Sequence, residues 1–192
     1  MTTASEFADP LEITAIRLTT KRRFAKPGDI FRLSPAQDVV LWGRVVQQGE
    51  FFGARRMSLV YIYDVISPTL PTPSALTPKH LIIGPMIVNN LGWVRGYWEI
   101  VASRPLDAGD VLERHLFKAP LGVPPHVQWE IVDDRESPVS AEGVDPEALS
   151  IAGIGNFNFI DHLVRGILAR RGVVSGLPNK PVQPTRACGP RG

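Results

Sequence analysis

The apolar residues of this chain follow the period of β-strands over most of its length, most clearly in residues 58–66, SLVYIYDVI. Successive side chains of a strand point to opposite faces. One face then carries Leu59, Tyr61, Tyr63 and Val65, and the other carries Val60, Ile62, Asp64 and Ile66. Because both faces are mainly apolar and rich in β-branched or aromatic residues, this segment predicts a central strand that is covered on both sides.

A second pattern, from Lys26 to Val46, predicts a β-hairpin. The segment opens with Pro27-Gly28-Asp29, in which proline presets φ, glycine allows a positive φ and aspartate can bond nearby backbone. It continues as a short strand over 30–33, a turn over 35–38 and a longer strand over 39–46. Gly43 lies inside the longer strand, where it predicts a bulge or a close backbone contact.

The period of a helix is clearest over residues 156–172, which end in Gly172. The apolar stripe of this predicted helix consists of Phe157, Ile160, Val164, Ile167 and Leu168. A shorter helix is predicted between Asp145 and Gly153, because Asp145-Pro146 fits an N-cap and first helical residue and Gly153 lies just past the end.

The other apolar segments predict strands over 11–18, 80–88, 93–102 and 127–132, while residues 111–118 fit either a strand or a short helix. The proline-rich residues 67–78 predict a long surface loop. We expect Trp93, Trp98 and Trp129 to anchor the core.

Residues 49–56 predict a loop that contains Phe51 and Phe52. Two adjacent side chains cannot both point to one face of a strand. One of the two phenylalanines is therefore expected at the surface, where it would be a candidate for contact with a partner.

These elements define a mainly β (α+β) fold, with a single curved antiparallel sheet or barrel-like domain over residues 11–174 and an amphipathic C-terminal helix. A chain of 192 residues has the size of one domain. Residues 1–10 are small and polar and residues 175–192 are rich in helix breakers, so we expect both segments to be disordered.

Charge and cysteine usage change this picture little. The net charge is +2, but Lys180, Arg186 and Arg191 lie in the last fourteen residues, which hold no acid. Without those three the chain has 18 basic and 19 acidic residues, so a general nucleic-acid partner is not indicated. The lone Cys188 excludes a disulfide within the chain and favours a cytoplasmic location. We expect neither a signal peptide nor a membrane segment.

The sequence shows no spacing typical of catalysis, so we expect a protein that is not an enzyme and that needs no cofactor or metal. HExxH and CxxC patterns are absent, and the histidines are scattered at His80, His115, His126 and His162. Gly153-Ile154-Gly155 lacks the third glycine of a dinucleotide motif, and a helix cap explains it better. Asp133 and Asp134 are interpreted as a solvated loop pair.

A basic cluster consists of Lys21-Arg22-Arg23 and Lys26, with Phe24 inside it. We interpret it as a solvated turn, because short basic runs are common on protein surfaces. The alternative interpretation is part of an edge that binds a partner.

Two blocks of the sequence carry a resemblance to a known family. The first block has Gly28, Asp29, Phe31, Pro35, Gly43, Arg44 and Val45, and the second has residues 85–89 followed by Trp93, Gly96, Trp98, Ile100 and Pro105. Together they resemble the immunity protein 26 family of bacterial polymorphic toxin systems, over about residues 22–132. The turn Ala36-Gln37-Asp38 departs from the family pattern, in which a glycine-containing turn is usual.

The resemblance implies an immunity protein that binds and neutralises a cognate toxin by surface complementarity, without catalysis. Candidate partner-binding residues are Asp29, Arg44, Phe51 and Phe52. For Asp29 and Arg44 we favour a turn-capping aspartate and a surface arginine. The alternative function is a small β-barrel module that binds nucleic acid, which only the basic cluster supports. The oligomeric state stays open.

Overall fold

The computed structural model describes residues 13, 15–121, 128–140, 142–145 and 149–174. The two segments predicted to be disordered, 1–10 and 175–192, lie outside these described residues. The assignment of 11–174 to one domain stays a prediction.

Strands dominate the described residues. They are β1 (Asp29–Ala36), β2 (Val39–Phe51), β3 (Ala54–Ile66), β4 (Leu81–Val88), β5 (Trp98–Ser103), β6 (Leu116–Leu121), β7 (Gln128–Asp133), β8 (Ser150–Ile151) and β9 (Ile154–Gly155). The α-helices are α1 (Leu91–Val94) and α2 (Phe157–Arg170), and short 3-10 helices lie at Pro73–Ala75 and Ala108–Asp110. The predicted mainly β fold with a C-terminal helix is confirmed.

The strands form a large and a small sheet. The large sheet has the order β5-β1-β2-β3-β4-β9, and the small sheet has the order β7-β6-β8. Pairing is antiparallel except between β4 and β9 and between β6 and β8, so both sheets are mixed. Across the described residues the large sheet does not close on itself, and the barrel alternative is not realised.

The large sheet is the middle layer of three, and each of its faces has its own apolar core. Helix α2 covers one face, where Phe157, Ile160, Val164 and Leu168 pack against residues of β1 to β4. The small sheet covers the other face through Phe117 and Val132. Burying both faces explains why the inner strands are apolar on both sides.

Strand β3 lies between β2 and β4, as its sequence predicts. Val60 and Ile62 belong to the core beneath α2, whereas Leu59, Tyr61 and Tyr63 belong to the core beneath the small sheet. All five side chains are fully buried. The predicted assignment of alternate residues to opposite faces is confirmed.

Strands β1 and β2 form the predicted hairpin, with Phe31 opposite Gly43. A Cβ atom at Gly43 would lie 2.4 Å from the Phe31 ring and 2.8 Å from the Tyr61 carbonyl oxygen. Only glycine fits there without a shift, so the predicted close contact is confirmed. Both strands extend further than the sequence indicates.

Helix α2 begins and ends where the sequence predicts. The Asn156 side chain accepts a hydrogen bond from the Phe159 N–H at 2.9 Å, which satisfies one of the free donors of the first turn. Gly172 follows the helix with φ of +72°, a conformation that favours glycine.

Two of the three predicted tryptophan anchors are confirmed. Trp98 stacks on Phe31 at 5.0 Å between ring centroids and meets Trp93 edge to face at 4.8 Å. Trp129 is 45% exposed, so its assignment to the core is wrong. It lies opposite Pro120 in the small sheet, and the Lys118 ammonium lies 5.4 Å from its ring centroid. Among the described residues, the core of the small sheet lies on the face turned to the large sheet, which explains why this ring remains exposed.

Several local predictions were wrong, and in the predicted helix that starts at Asp145 pairing with a distant strand overrode the local signal. Residues 49–56 form the end of the β2–β3 hairpin rather than a loop, with the turn at Phe52-Gly53. Trp93 lies in α1 rather than in a strand. In the predicted helix 145–153, the described residues 150–151 form β8, which pairs with β6.

Other boundaries also shifted. Gly153-Ile154-Gly155 is not a helix cap, because Ile154 and Gly155 pair with β4. Within the predicted strand 11–18, the described residues 15–18 are not in a strand. Residues 111–118 become a strand only from Leu116, and β8 and β9 follow β7.

Candidate functional site

Arg44 lies in the middle of β2 and is fully buried, so its interpretation as a surface arginine is wrong. Its Nη1 atom forms an ion pair with Asp110 Oδ1 at 2.8 Å. Its Nη2 atom donates hydrogen bonds to the carbonyl oxygens of Arg104 and Pro105, at 3.1 and 2.8 Å. A buried guanidinium is costly unless such partners compensate it. We call Arg44, Arg104 and Asp110 the Arg44 cluster.

Asp110 is the acceptor at the centre of the Arg44 cluster. Its Oδ1 atom also accepts from Arg104 Nη2 at 2.7 Å, and its Oδ2 atom accepts from the Asp107 N–H at 2.9 Å. Burial opposes ionisation of this carboxyl. The hydrogen bond from Asp107 and the charges of Arg44 and Arg104 outweigh that effect and hold the pKa of Asp110 below its ordinary value. The cluster therefore joins an ionised carboxylate to two cations.

Gly28 and Asp29 lie beside the loop that follows β5 and contains Arg104 and Asp110. The Arg104 N–H donates to the Gly28 carbonyl at 3.0 Å, and a Cβ atom at Gly28 would lie 2.4 Å from the Arg104 carbonyl oxygen. Gly28 also has φ of +89°. The Asp29 Oδ2 atom accepts from the Lys26 N–H at 3.0 Å, which confirms its role as a turn-capping residue. Asp29 is fully buried.

The residues that carry the family resemblance in the first hairpin therefore build a scaffold. They attach the loop that follows β5 to β1 and β2, at the face that meets the small sheet. The sequence gave no sign that Asp110 would reach Arg44, because their proximity depends on the packing of distant segments. The capping box between Asp107 and Asp110 was the only local signal.

Phe51 and Phe52 separate at the tip of the β2–β3 hairpin. Phe51 is buried, whereas Phe52 is half-buried and packs edge to face on Phe117, with 5.6 Å between centroids. Phe52 adopts φ of +48°, which is unusual for a bulky residue. Of the four predicted partner-binding residues, Phe52 has the most accessible side chain.

A hydrogen-bonded contact between the sheets was not predicted. The Tyr61 hydroxyl lies 2.6 Å from His115 Nε2, and His115 Nδ1 lies 3.7 Å from Asp134 Oδ2. Burial lowers the pKa of His115, and the Asp134 carboxylate offsets part of that effect. Burial also raises the pKa of Tyr61 to about 12, although a hydrogen bond from the Leu112 N–H to the Tyr61 hydroxyl acts in the opposite direction. Asp134 therefore lies beside His115, so the interpretation of Asp133 and Asp134 as a solvated loop pair is wrong for Asp134. This contact joins the large sheet to the small sheet. Because the Tyr61 side chain is fully buried, its hydroxyl is not accessible to a substrate.

The most exposed large apolar side chain among the described residues is Phe24, at 73%. It lies in a segment that we call the basic segment, residues 17–26, which has no regular secondary structure. The exposed cations of this segment are Arg17, Lys21, Arg22, Arg23 and Lys26. The sequence identified this cluster but could not show that Phe24 points outward.

The described part of the chain shows neither a metal-binding cluster nor a helix that could span a membrane. No group of three or more His, Cys, Asp or Glu residues there is placed to hold a metal ion. No described helix has the length and apolar character needed to cross a membrane. An open depression of about 370 Å³ is lined by Arg17, Leu18, Thr19 and Thr20, which lack the converging acid and base groups of an active site.

Comparison with known proteins supports the resemblance seen in the sequence. Residues 26–115 match the family model described as Immunity protein 26. No curated protein and no solved structure matches the chain. The match contains β1 to β5 and the Arg44 cluster, whereas the small sheet, α2 and most of the basic segment lie outside it. The predicted resemblance to this family is confirmed.

Proposed function

From the match of residues 26–115 to Immunity protein 26, we propose that the chain is an immunity protein. It binds a cognate toxin domain of a bacterial polymorphic toxin system and neutralises it at a fixed ratio, without turnover. The family match is the observation that carries this proposal. The lone Cys188 suits action in a reducing cytoplasm, where the toxin would be intercepted.

The burial of the family-like residues indicates that they stabilise the fold and that other residues contact the toxin. Gly28, Asp29 and Arg44 are buried and stabilise the framework, so the surface that meets the toxin is built on exposed residues. A stable complex of this kind buries about 800 Å² on each partner, with a few central anchors.

The predicted partner-binding residues keep different roles in this proposal. Phe52 is the one that can contact a toxin directly, because it is only half-buried. Asp29, Arg44 and Phe51 are buried and would act by holding the surface in shape.

Co-expression tests the proposal. The chain is produced with the toxin domain encoded by the neighbouring gene, and growth and co-purification are measured. We expect rescue of growth, a complex of fixed ratio, and protection that rises with the amount of this protein and saturates at that ratio. Rescue at far below that ratio would indicate catalysis, and the absence of any complex with the toxin would contradict the proposed function.

The alternative is a module that binds nucleic acid, which the basic segment with its exposed Phe24 favours. Such binding depends steeply on salt, because cations on the protein release counterions from phosphates. Binding of RNA or DNA that weakens steeply between about 50 mM and about 200 mM salt, with no toxin complex, would replace the proposed function.

A further inference from the structure

We infer that the basic segment, residues 17–26, is the surface through which this protein binds its toxin partner, and that the partner presents an acidic face with an apolar pocket for Phe24. This inference rests on the proposed function and adds to it the location and chemistry of the contact.

The charge of the basic segment is unopposed within the segment itself. Its five cations are all exposed, and residues 17–26 contain no aspartate or glutamate. The nearest acid along the chain, Asp29, has a fully buried side chain that lies 3.5 Å from Arg23, which is itself half-exposed. Such a concentration of positive charge favours a negatively charged partner and speeds its association.

The rest of the chain has the opposite balance of charge. The whole chain has 21 basic and 19 acidic residues, and without the five cations of the segment it has 16 and 19. The positive charge is therefore a local feature, and a partner guided by charge is directed to this segment rather than to the protein as a whole.

The basic segment is held in place at both ends. The Leu18 and Thr19 N–H groups donate to the Gly96 carbonyl, at 2.8 and 3.1 Å. At the other end, the Gln48 side chain donates to the Ala25 carbonyl, and Ala25 is 3% exposed within the core beneath α2. A surface that is already ordered loses less entropy when it binds, so these anchors favour a binding surface.

Phe24 lies at the end of the basic segment that Ala25 anchors in the core. The next residue, Ala25, is in the core, whereas the Phe24 ring is exposed, so the backbone beside the core directs this ring outward. Aromatic and arginine side chains are enriched at protein interfaces, where a few buried anchors contribute most of the affinity. The depression lined by Arg17 to Thr20 lies at the other end of the segment.

These features favour an acidic protein over nucleic acid as the partner. Proteins that bind single strands combine a basic groove with several aromatic side chains on which successive bases stack. The basic segment has one aromatic residue, Phe24. The acidic balance of the remaining chain also repels a phosphate backbone that extends beyond the segment.

The test uses three variants of the full chain. Lys21→Glu with Arg22→Glu reverses two exposed charges of the segment, and Phe24→Ala removes its exposed ring. Lys79→Glu with Arg170→Glu is the matched control, because it makes the same change of charge at exposed positions outside the segment. Thermal unfolding of each variant first establishes that it is folded.

Binding to the co-purifying toxin domain is then measured by titration. We expect both segment variants to bind roughly tenfold or more weakly than the unchanged chain, and the control to stay within roughly twofold. We also expect the unchanged chain to bind the toxin more weakly as salt increases, because salt screens exposed charges. Toxin binding that is unchanged in both segment variants would overturn this inference and leave the proposed function standing.

A nucleic-acid probe tests the alternative that the basic segment binds nucleic acid. An oligonucleotide of about 16 nucleotides is titrated against the unchanged chain and the variant with Lys21→Glu and Arg22→Glu. We expect no binding that depends on the segment. Oligonucleotide binding that this variant loses, with toxin binding unaffected, would assign the surface to nucleic acid and overturn the inference.

Discussion

At the scale of single residues, the Arg44 cluster makes the fold dependent on a buried charge. Arg44 is fully buried, and its compensation comes from Asp110 and from two backbone carbonyls of the loop that follows β5. Removing one member of a buried ion pair leaves the other uncompensated, which costs more than the pair contributes. The loop is thus stabilised on the sheet by an interaction that tolerates substitution poorly.

Asp110→Asn tests this dependence. The neutral amide leaves the Arg44 charge poorly compensated, so we expect the free energy of unfolding to fall by about 3 kcal/mol. Urea titration measures the change. Asp38→Asn removes the same charge at an exposed turn position with φ of +62°, which asparagine tolerates, and is expected to stay within about 0.5 kcal/mol. Equal effects of the two variants would contradict the role of Asp110.

Trp98 and Trp129 allow a comparison of a core tryptophan with a surface one. Trp98 is 2% exposed between Phe31 and Trp93, so Trp98→Ala is expected to lower the free energy of unfolding by about 3–5 kcal/mol. Trp129→Ala is expected to cost about 1 kcal/mol or less, because that ring is 45% exposed. A urea midpoint for Trp98→Ala close to that of the unchanged chain would contradict the core assignment.

At the scale of elements, helix α2 depends on its cap as well as on its apolar stripe. The stripe packs on the large sheet, and Asn156 caps the first turn from an exposed position. Most of the stability of such a helix comes from packing, while the cap adds a smaller and separable contribution.

Asn156→Ala is expected to lower the free energy of unfolding by about 1 kcal/mol, because the Phe159 N–H loses its acceptor. Asn156→Asp keeps an acceptor and is expected to retain most of the stability. Both variants are measured by urea titration. The cap would be unimportant if alanine and aspartate gave the same midpoint as asparagine.

At the scale of the whole molecule, the contact of Tyr61, His115 and Asp134 joins the two sheets. Tyr61 belongs to β3 of the large sheet, whereas Asp134 directly follows β7 of the small sheet. His115 lies between them and is almost fully buried. Its protonation therefore bears on the packing of one layer against the other.

We expect stability to fall as the pH is lowered through the ordinary pKa of histidine, 6.5, because burial lowers the pKa of His115 in the folded chain. The unfolded chain then binds a proton that the folded chain does not, which favours unfolding. Stability is measured between about pH 7 and about pH 5. His115→Gln is expected to flatten this dependence, whereas His80→Gln, at an exposed position, is not.

Equal slopes for the unchanged chain and His115→Gln would contradict this assignment. The lowered pKa values of Asp110 and Asp133 do not interfere, because they affect stability at lower pH, where the unfolded carboxyls titrate near 3.8.

The predicted C-terminal tail gives a further test at this scale. Removing the residues after Leu177 is expected to leave the melting temperature almost unchanged, since the tail sequence has no apolar periodicity and is rich in proline. A fall of several degrees, measured by thermal unfolding, would show that the tail packs on the domain.

Much of the fold followed from local patterns. The alternation in residues 58–66 predicted which side chains face which core, and Asn156 to Gly172 predicted α2 with its ends. These inferences succeeded because they depend on periods and caps that neighbouring residues determine. The weaker predictions, such as the helix over 145–153, failed where short strands pair with partners far along the chain.

The sequence by itself determined the mainly β fold, the family resemblance and the existence of a basic cluster. Only the tertiary structure decided that Arg44 is buried beside Asp110, that His115 meets Tyr61, and that Phe24 points outward. The physical reason is that burial and ion pairing depend on where distant segments meet. Arg44 and Asp110 are separated by three strands, and no local pattern records that contact.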